Sequence, residues 1–167
     1  NLPTANLNID VQLHNGVRMH LRTYLSSRHH VEAWVKGGYI QIDRLDFIQE
    51  DFLSGIMDLT TVRVGMNDIN YGDAHFRRSD NAMAIYNPFV GNYIMDAFTT
   101  EPFFEVTVRP SDFIVVAGIT NGKLNQSPIK SSGTEDYGPS FYGKLGWDSQ
   151  VSDDTRLRLT GSVYSAT

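Results

Sequence analysis

The residue types that most often do chemistry are few in this chain and poorly spaced for it. His29 and His30 are adjacent. In a strand they point to opposite faces, so they cannot share one metal ion; a solvated pair is the plainer reading. Asp73, His75 and Asp80 fall within one stretch, but no nucleophile stands at a defined spacing from them. Glu135-Asp136 offers a weak calcium contact and is more simply a solvated acidic tip. There is no nucleophile elbow, phosphate-binding glycine loop or zinc-protease helix signature. Cysteine is absent, which removes disulfides and thiolate metal sites. No catalytic residue, metal or cofactor is expected, and the chain does not read as an enzyme.

What the chain does carry is charge set out in rows. Arg77-Arg78 stand between Asp73 and Asp80 in the stretch 68–101, which also holds Tyr71, Phe76, Tyr86, Phe89, Tyr93 and Phe98. A disordered loop is polar and poor in aromatics. This one is aromatic-rich, so it is expected to fold and pack. Packed inward, it places arginines opposite aspartates, a transverse field that selects solutes by charge and size. Packed outward, it meets neighbouring loops or another protein. Two adjacent guanidiniums cannot both be buried unpaired, and Asp73 and Asp80 are the nearest acids in sequence. Elsewhere the basic residues Arg18, Arg22, Lys36, Arg63, Arg109, Lys144, Arg156 and Arg158 alternate with apolar ones, and so do Asp10, Glu32, Asp43, Glu105 and Asp148. Eight bases against five acids make that polar face net +3 in a chain of net −5. A basic wall favours anions; cross-strand pairing of the same groups would instead give structure with little selectivity.

The elements that must hold these residues are strands. Leu7, Ile9, Val11 and Leu13 alternate with polar residues, and so do Val17, Met19 and Leu21. Such alternation gives one apolar and one polar face. Between the two runs, a three-residue loop with Gly16 left-handed would pair Leu13 with Val17 and keep the apolar sets together. In 32–43 the apolar parity switches at Gly37-Gly38, which predicts a β-bulge. Further alternating runs cover 60–66, 104–109, 141–148 and 155–164, and a tight turn at Pro110-Ser111-Asp112 leads into a continuous apolar strand, 113–120. About eight strands result. The stretch 45–53 has helical spacing instead, and a short helix is expected there, ended near Ser54-Gly55. No repeat, low-complexity tract or linker divides the 167 residues.

The same alternation suits a soluble sandwich or a membrane barrel. Charge is too acidic for a general nucleic-acid binder. The longest apolar run, 113–119, is far short of the roughly 20 residues of a transmembrane helix, but a β-barrel is read from alternation and not from a run. Tyr24, Phe104, Phe141, Trp147 and Tyr164 at strand ends would form interfacial girdles. Connections alternate between short (14–16, 110–111, 149–154) and long (68–101, 121–139), as in outer-membrane barrels. With 43–59 on the short-turn side, the first strand would enter and the last would end on the outer side. The absence of an initiator Met or signal peptide reads as a mature or trimmed product. The expectation is an all-β, antiparallel transmembrane barrel segment spanning 1–167, incomplete at both ends and part of a larger barrel. Val106, Val108, Leu157, Leu159, Leu145 and Ile9 would face lipid. Arg109, Arg156, Arg158 and Lys144 would face the lumen.

The run Val62-Arg63-Val64-Gly65-Met66-Asn67-Asp68-Ile69-Asn70-Tyr71-Gly72-Asp73-Ala74-His75-Phe76 resembles large porin-like outer-membrane barrels, including the alginate-export type. Arg77-Arg78-Ser79-Asp80-Asn81 followed by Asn87-Pro88-Phe89-Val90-Gly91-Asn92 is similar to an outer loop of such proteins. Arg28-His29-His30 to Trp34-Val35-Lys36-Gly37-Gly38-Tyr39 has a related character, and the resemblance covers about residues 5–125. It implies a multi-stranded barrel in a Gram-negative outer membrane that passes small hydrophilic solutes, with outer-membrane lipid around it. Two other functions fit the residues: a docking platform for other outer-membrane proteins, its pore blocked, and a soluble carbohydrate-binding β-sandwich.

Overall fold

The computed structural model describes residues 4–26, 32–73, 100–121 and 138–165. Its strands are β1 (Thr4–His14), β2 (Val17–Ser26), β3 (Glu32–Ile42), β4 (Thr60–Asp68), β5 (Thr100–Val108), β6 (Phe113–Thr120), β7 (Ser140–Ser152) and β8 (Thr155–Ser165). They form one antiparallel sheet in simple chain order. Each strand pairs only with its neighbours, so the sheet is open, with β1 and β8 at its edges. Among the described residues helix is limited to one turn, α1 (Ser54–Met57). Among the described residues no helix is long and apolar enough to cross a membrane.

The registers put the alternation on two coherent faces. One continuous apolar row runs from Val11 through Met19, Ile40, Val64, Phe104 and Ile119 to Phe141, with the Ile9–Leu21 pair beside it. The opposite face carries His20 and Tyr39, then Gln41, Arg63, Glu105, Gly118, Tyr142 and Tyr164 in neighbouring pairs. The expected facing of Ile9, Val106, Val108, Leu145, Leu157 and Leu159 against Lys144, Arg156 and Arg158 is what the registers give. Tyr24 and Tyr164 share the polar face with Trp34 and Tyr142, and Phe104 sits in the middle of β5. Of the five aromatics expected to form the girdle, Phe141 alone lies both on the apolar face and near a strand end; Trp147 shares that face but sits in the middle of β7. Parity, which decides the face, overrides position along the strand.

Three local features depart from or sharpen the sequence reading. At the first hairpin His14 pairs with Val17, and Leu13 is the extra residue of a bulge, so the expected Leu13–Val17 pair does not form. Gly16 is left-handed as expected, with φ 71°. The bulge achieves the same end as the longer loop, keeping Val11 opposite Met19. The β7–β8 hairpin uses the same device at Val151. In both, a glutamine side chain caps the turn: Gln12 Nε2 donates to the His14 and Val17 carbonyls, and Gln150 Nε2 to Ser152 and Asp153. In β3 the bulge falls at Lys36, between the Gly37–Arg22 and Val35–Thr23 pairs, as the parity switch required. The expected helix over 45–53 is absent. That stretch is a chain of turns closed by bonds such as Ile48 N–H to Leu45 O and Phe52 N–H to Gln49 O, and the left-handed Asp51 and Leu53 prevent propagation. The single helical turn starts where the sequence reading ended it.

The sheet curls toward its polar face, and geometry shows why it must. Ser162 lies level in register with Lys144, Val116, Thr107 and Thr61. In a flat sheet Ser162 would be four strand spacings, ~19 Å, from Thr61, and Asp68 a further ~23 Å along β4. The chain from Asp68 to Gly72 reaches at most ~14 Å. Gly72 N–H nevertheless donates to Ser162 Oγ at 2.9 Å.

Candidate functional site

The segment after β4 turns inward and lies across the polar face. Ile69 is its apolar anchor. It is fully buried against Val116 and Tyr142, with Tyr71, Ile114 and Tyr164 around them. Asn70 then reaches Glu105 (3.5 Å) and accepts from Lys144 Nζ (2.6 Å). Lys144 Nζ also donates to Gly72 O (3.1 Å) and to Asp73 (3.2 Å). Asp73 accepts from Thr160 Oγ1 at 2.9 Å and pairs with Arg158 Nε at 3.1 Å. Partial burial works against the charged form of Asp73. Hydrogen bonds from Thr160 and Lys144 and the charges of Lys144 and Arg158 outweigh it and hold the carboxyl below the usual carboxylate range.

Tyr142 is able to join this network because its neighbour across the ladder is glycine. A Cβ on Gly118 would stand 2.1 Å from Tyr142 Cζ. Without one, the ring lies over β6 and its hydroxyl donates to Glu105 Oε2 at 2.8 Å. Glu105 also faces Arg63 at 3.8 Å. Arg63 in turn donates to Gln41 at 3.0 Å and lies 5.4 Å over the Tyr39 ring. Gln41 and Thr61 both donate to Asp43, which pairs with Arg18 at 3.7 Å. A nearly continuous belt of polar contacts therefore crosses the sheet from β2 to β8. Its members Gln41, Glu105 and Lys144 are almost fully buried.

Of the expected lining residues, Arg109, Lys144, Arg156 and Arg158 surround one cavity of about 330 Å³, with Asp112 and Asp148 on its rim. Arg156 holds Asp148 in a two-pronged pair at 2.6 and 2.8 Å, and Arg158 approaches the same carboxylate at 3.7 Å. Arg109 makes no ion pair among the described residues. It also lines a second cavity of about 330 Å³ under Asp43, Arg44 and α1. Arg63 belongs to the polar face but stands apart from these cavities, committed to Glu105 and Gln41. Asp73 joins the cluster through Lys144 and Arg158. Arg77, Arg78 and Asp80 lie outside the described residues, as do His29, His30, His75 and Glu135-Asp136.

The count of wall charge needs correction. Asp68 takes Arg22 at 3.4 Å, Asp73 takes Lys144 and Arg158, and Glu101 is fully buried. Asp68 and Asp73 offset two of the three positive charges read from alternation. Cross-strand pairing, the plainer alternative, engages Arg18, Arg22, Arg63, Lys144, Arg156 and Arg158, whereas Arg109 has no ion pair among the described residues. The sequence reading missed Glu101 because Pro102 made β5 look as if it began at Phe104; in fact Thr100 is its first residue. Glu101 does share the parity of Phe103 and Glu105, and that was the available signal. Among the described residues, no three His, Cys, Asp or Glu side chains group closely enough to hold a metal ion.

The opposite face is the reverse of a soluble protein's. Leu145 is 67 % and Val163 66 % exposed, against 4 % for Lys144 and 2 % for Glu105. Leu7, Ile9, Val64, Phe104, Phe113, Phe141, Leu157 and Leu159 are exposed with them. Comparison with protein-family models, with curated proteins and with solved structures found no match to this chain.

Proposed function

We propose that this chain is part of the wall of a porin-like β-barrel in a Gram-negative outer membrane, passing small hydrophilic solutes by passive diffusion and doing no covalent chemistry. The observation that carries this reading is the inverted burial. A soluble sandwich closes its apolar face and wets its polar one. Here the polar face is buried along β5–β7, where residues 69–73 lie on it, while the apolar face is exposed from Leu7 and Ile9 on β1 to Leu157 and Val163 on β8. An exposed apolar surface of that extent needs a cover, and lipid covers it without requiring a second sheet. The unpaired edges of β1 and β8 present ladder groups that lipid cannot satisfy. Closure of the barrel by further strands at those edges completes the wall.

In this barrel, residues 69–73 cross the lumen side of β5–β8 and narrow the path. The basic cavity with Arg109 lies beside them at the turn end and favours anions locally. Conductance in planar bilayers tests the function. Stepwise currents from refolded protein are expected. A well-folded barrel without current would replace the channel by a docking platform, and folding in buffer without detergent would replace both by the sandwich.

A further inference from the structure

The connection from β3 to β4, residues 43–59, is far longer than the other three at its end of the sheet, and its surface is unusual. Phe47, Ile48, Phe52, Leu53, Ile56 and Leu59 are all exposed, Ile48 by 61 % and Ile56 by 59 %. Met57 is buried and Leu45 half-buried. Both ends are fastened. Asp43 N–H donates to Gly16 O at 2.7 Å, and Asn15 Nδ2 donates to Asp46 at 2.6 Å. Arg44 pairs with Asp58 at 3.3 Å, closing the base of the loop, and Arg109 N–H donates to Leu59 O at 2.8 Å. The loop is thus held in place while it presents large apolar side chains outward.

Its position says what covers them. Phe47 stands edge-on to His14, ring centroids 6.5 Å apart. His14 pairs with Val17, on the apolar face, next to the bulged and exposed Leu13. Through Phe47 the loop, with its exposed apolar side chains, therefore adjoins the sheet's apolar face past the end of the strands. We propose that this connection lies in the membrane interface, its aromatic and aliphatic side chains inserted at the boundary of headgroups and acyl chains. The inference rests on the reading of the apolar face as lipid-facing. Residues 44–59 carry Arg44 against Asp46, Glu50, Asp51 and Asp58, a net charge of −3. That excess disfavours an anionic surface and fits zwitterionic headgroups, with the carboxylates left in water.

Single tryptophans in a W34F/W147F background test it, in vesicles of phosphatidylcholine brominated either near the carbonyls or near the chain ends. Phe52→Trp, with Phe47→Trp as a second site, is expected to lose most of its emission to bromine near the carbonyls and to resist acrylamide. Leu145→Trp is expected to be quenched more by bromine deep in the chains. If the Leu145→Trp emission is quenched by lipid while both loop tryptophans are open to acrylamide and untouched by bromine, the interfacial loop is rejected, the barrel reading stands, and the loop becomes a surface for a protein. If no site is quenched by brominated lipid, the membrane reading itself is overturned.

Discussion

Replacing Asp73 by Ala removes the acceptor shared by Lys144, Arg158 and Thr160. Breaking a fully buried pair costs about 3–5 kcal/mol. Lys144 is almost wholly buried, but the Asp73 side chain is 36 % exposed and Arg158 keeps Asp148. The expected loss is therefore smaller, about 1–3 kcal/mol, or ~5–150-fold in the balance between a seated and a released segment. Ile69 still holds the segment by burial. Adding Ile69→Ala removes a further ~2–5 kcal/mol, and the double variant is expected to release residues 69–73 altogether. Two readouts follow the segment. In the proposed channel, single-channel conductance is expected to rise when the segment is released, modestly for Asp73→Ala and fully for the pair. Amide hydrogens of Gly72 and its neighbours lose protection from exchange in the same order. A double variant that exchanges freely at Gly72 yet conducts like the parent would refute the idea that this segment narrows the path. Unchanged protection would refute the anchoring itself.

The low pKa of Asp73 fixes the pH window for the same event. A depressed carboxylate contributes stability that is complete above its unfolded value of 3.8 and lost as the pH falls below that through the folded pKa; conductance is expected to be flat near neutrality and to rise as the pH falls through that window, and a rise at neutral pH would contradict the assignment. Gly118→Ala forces Tyr142 off Glu105, an overpacking cost of ~1–3 kcal/mol before the lost hydrogen bond; urea unfolding of refolded protein reads it, and an unchanged midpoint would mean that the ring does not lie over β6. Arg109→Gln is expected to lower the anion-to-cation permeability ratio from reversal potentials in a salt gradient, whereas Arg63→Gln, already paired to Glu105, changes it less; equal effects would remove Arg109 from its special place.

Much of the architecture was legible in the residues, and the reason is period two. In a sheet with one apolar face, each side chain's neighbours are fixed by parity, so Leu145 and Lys144 reveal opposite faces without any structure. Bulges were legible where they broke that parity visibly, as at Gly37-Gly38. At Leu13 the turn and the bulge offered two ways to conserve parity, and local sequence did not choose between them. The stretch 45–53 has helical spacing because its apolar residues cover an outer surface, not because a helix repeats there. The site was harder. Arg109, Lys144, Arg156 and Arg158 were found by alternation, but their partners were not. Asp73 is distant in sequence from Lys144 and Arg158 and meets them only because Ile69 turns the chain inward, a tertiary contact that no local pattern encodes. Tyr142 meets Glu105 across a glycine, and that absence of a side chain is silent in an alternation count.

The claim on which the rest depends is that the apolar face meets lipid. The chain has no cysteine, so one introduced thiol carries one spin label. Leu145→Cys, on the exposed apolar face of β7, and Asn8→Cys, paired with Arg22 on the polar face, are the two positions to compare in vesicles by electron paramagnetic resonance. Oxygen concentrates in the acyl chains, and a nickel chelate stays in water. At Leu145 the label is predicted to collide with oxygen and not with nickel; at Asn8 the preference should reverse. A Leu145 label reached by nickel, or reached by neither reagent as in a protein core, would contradict the account.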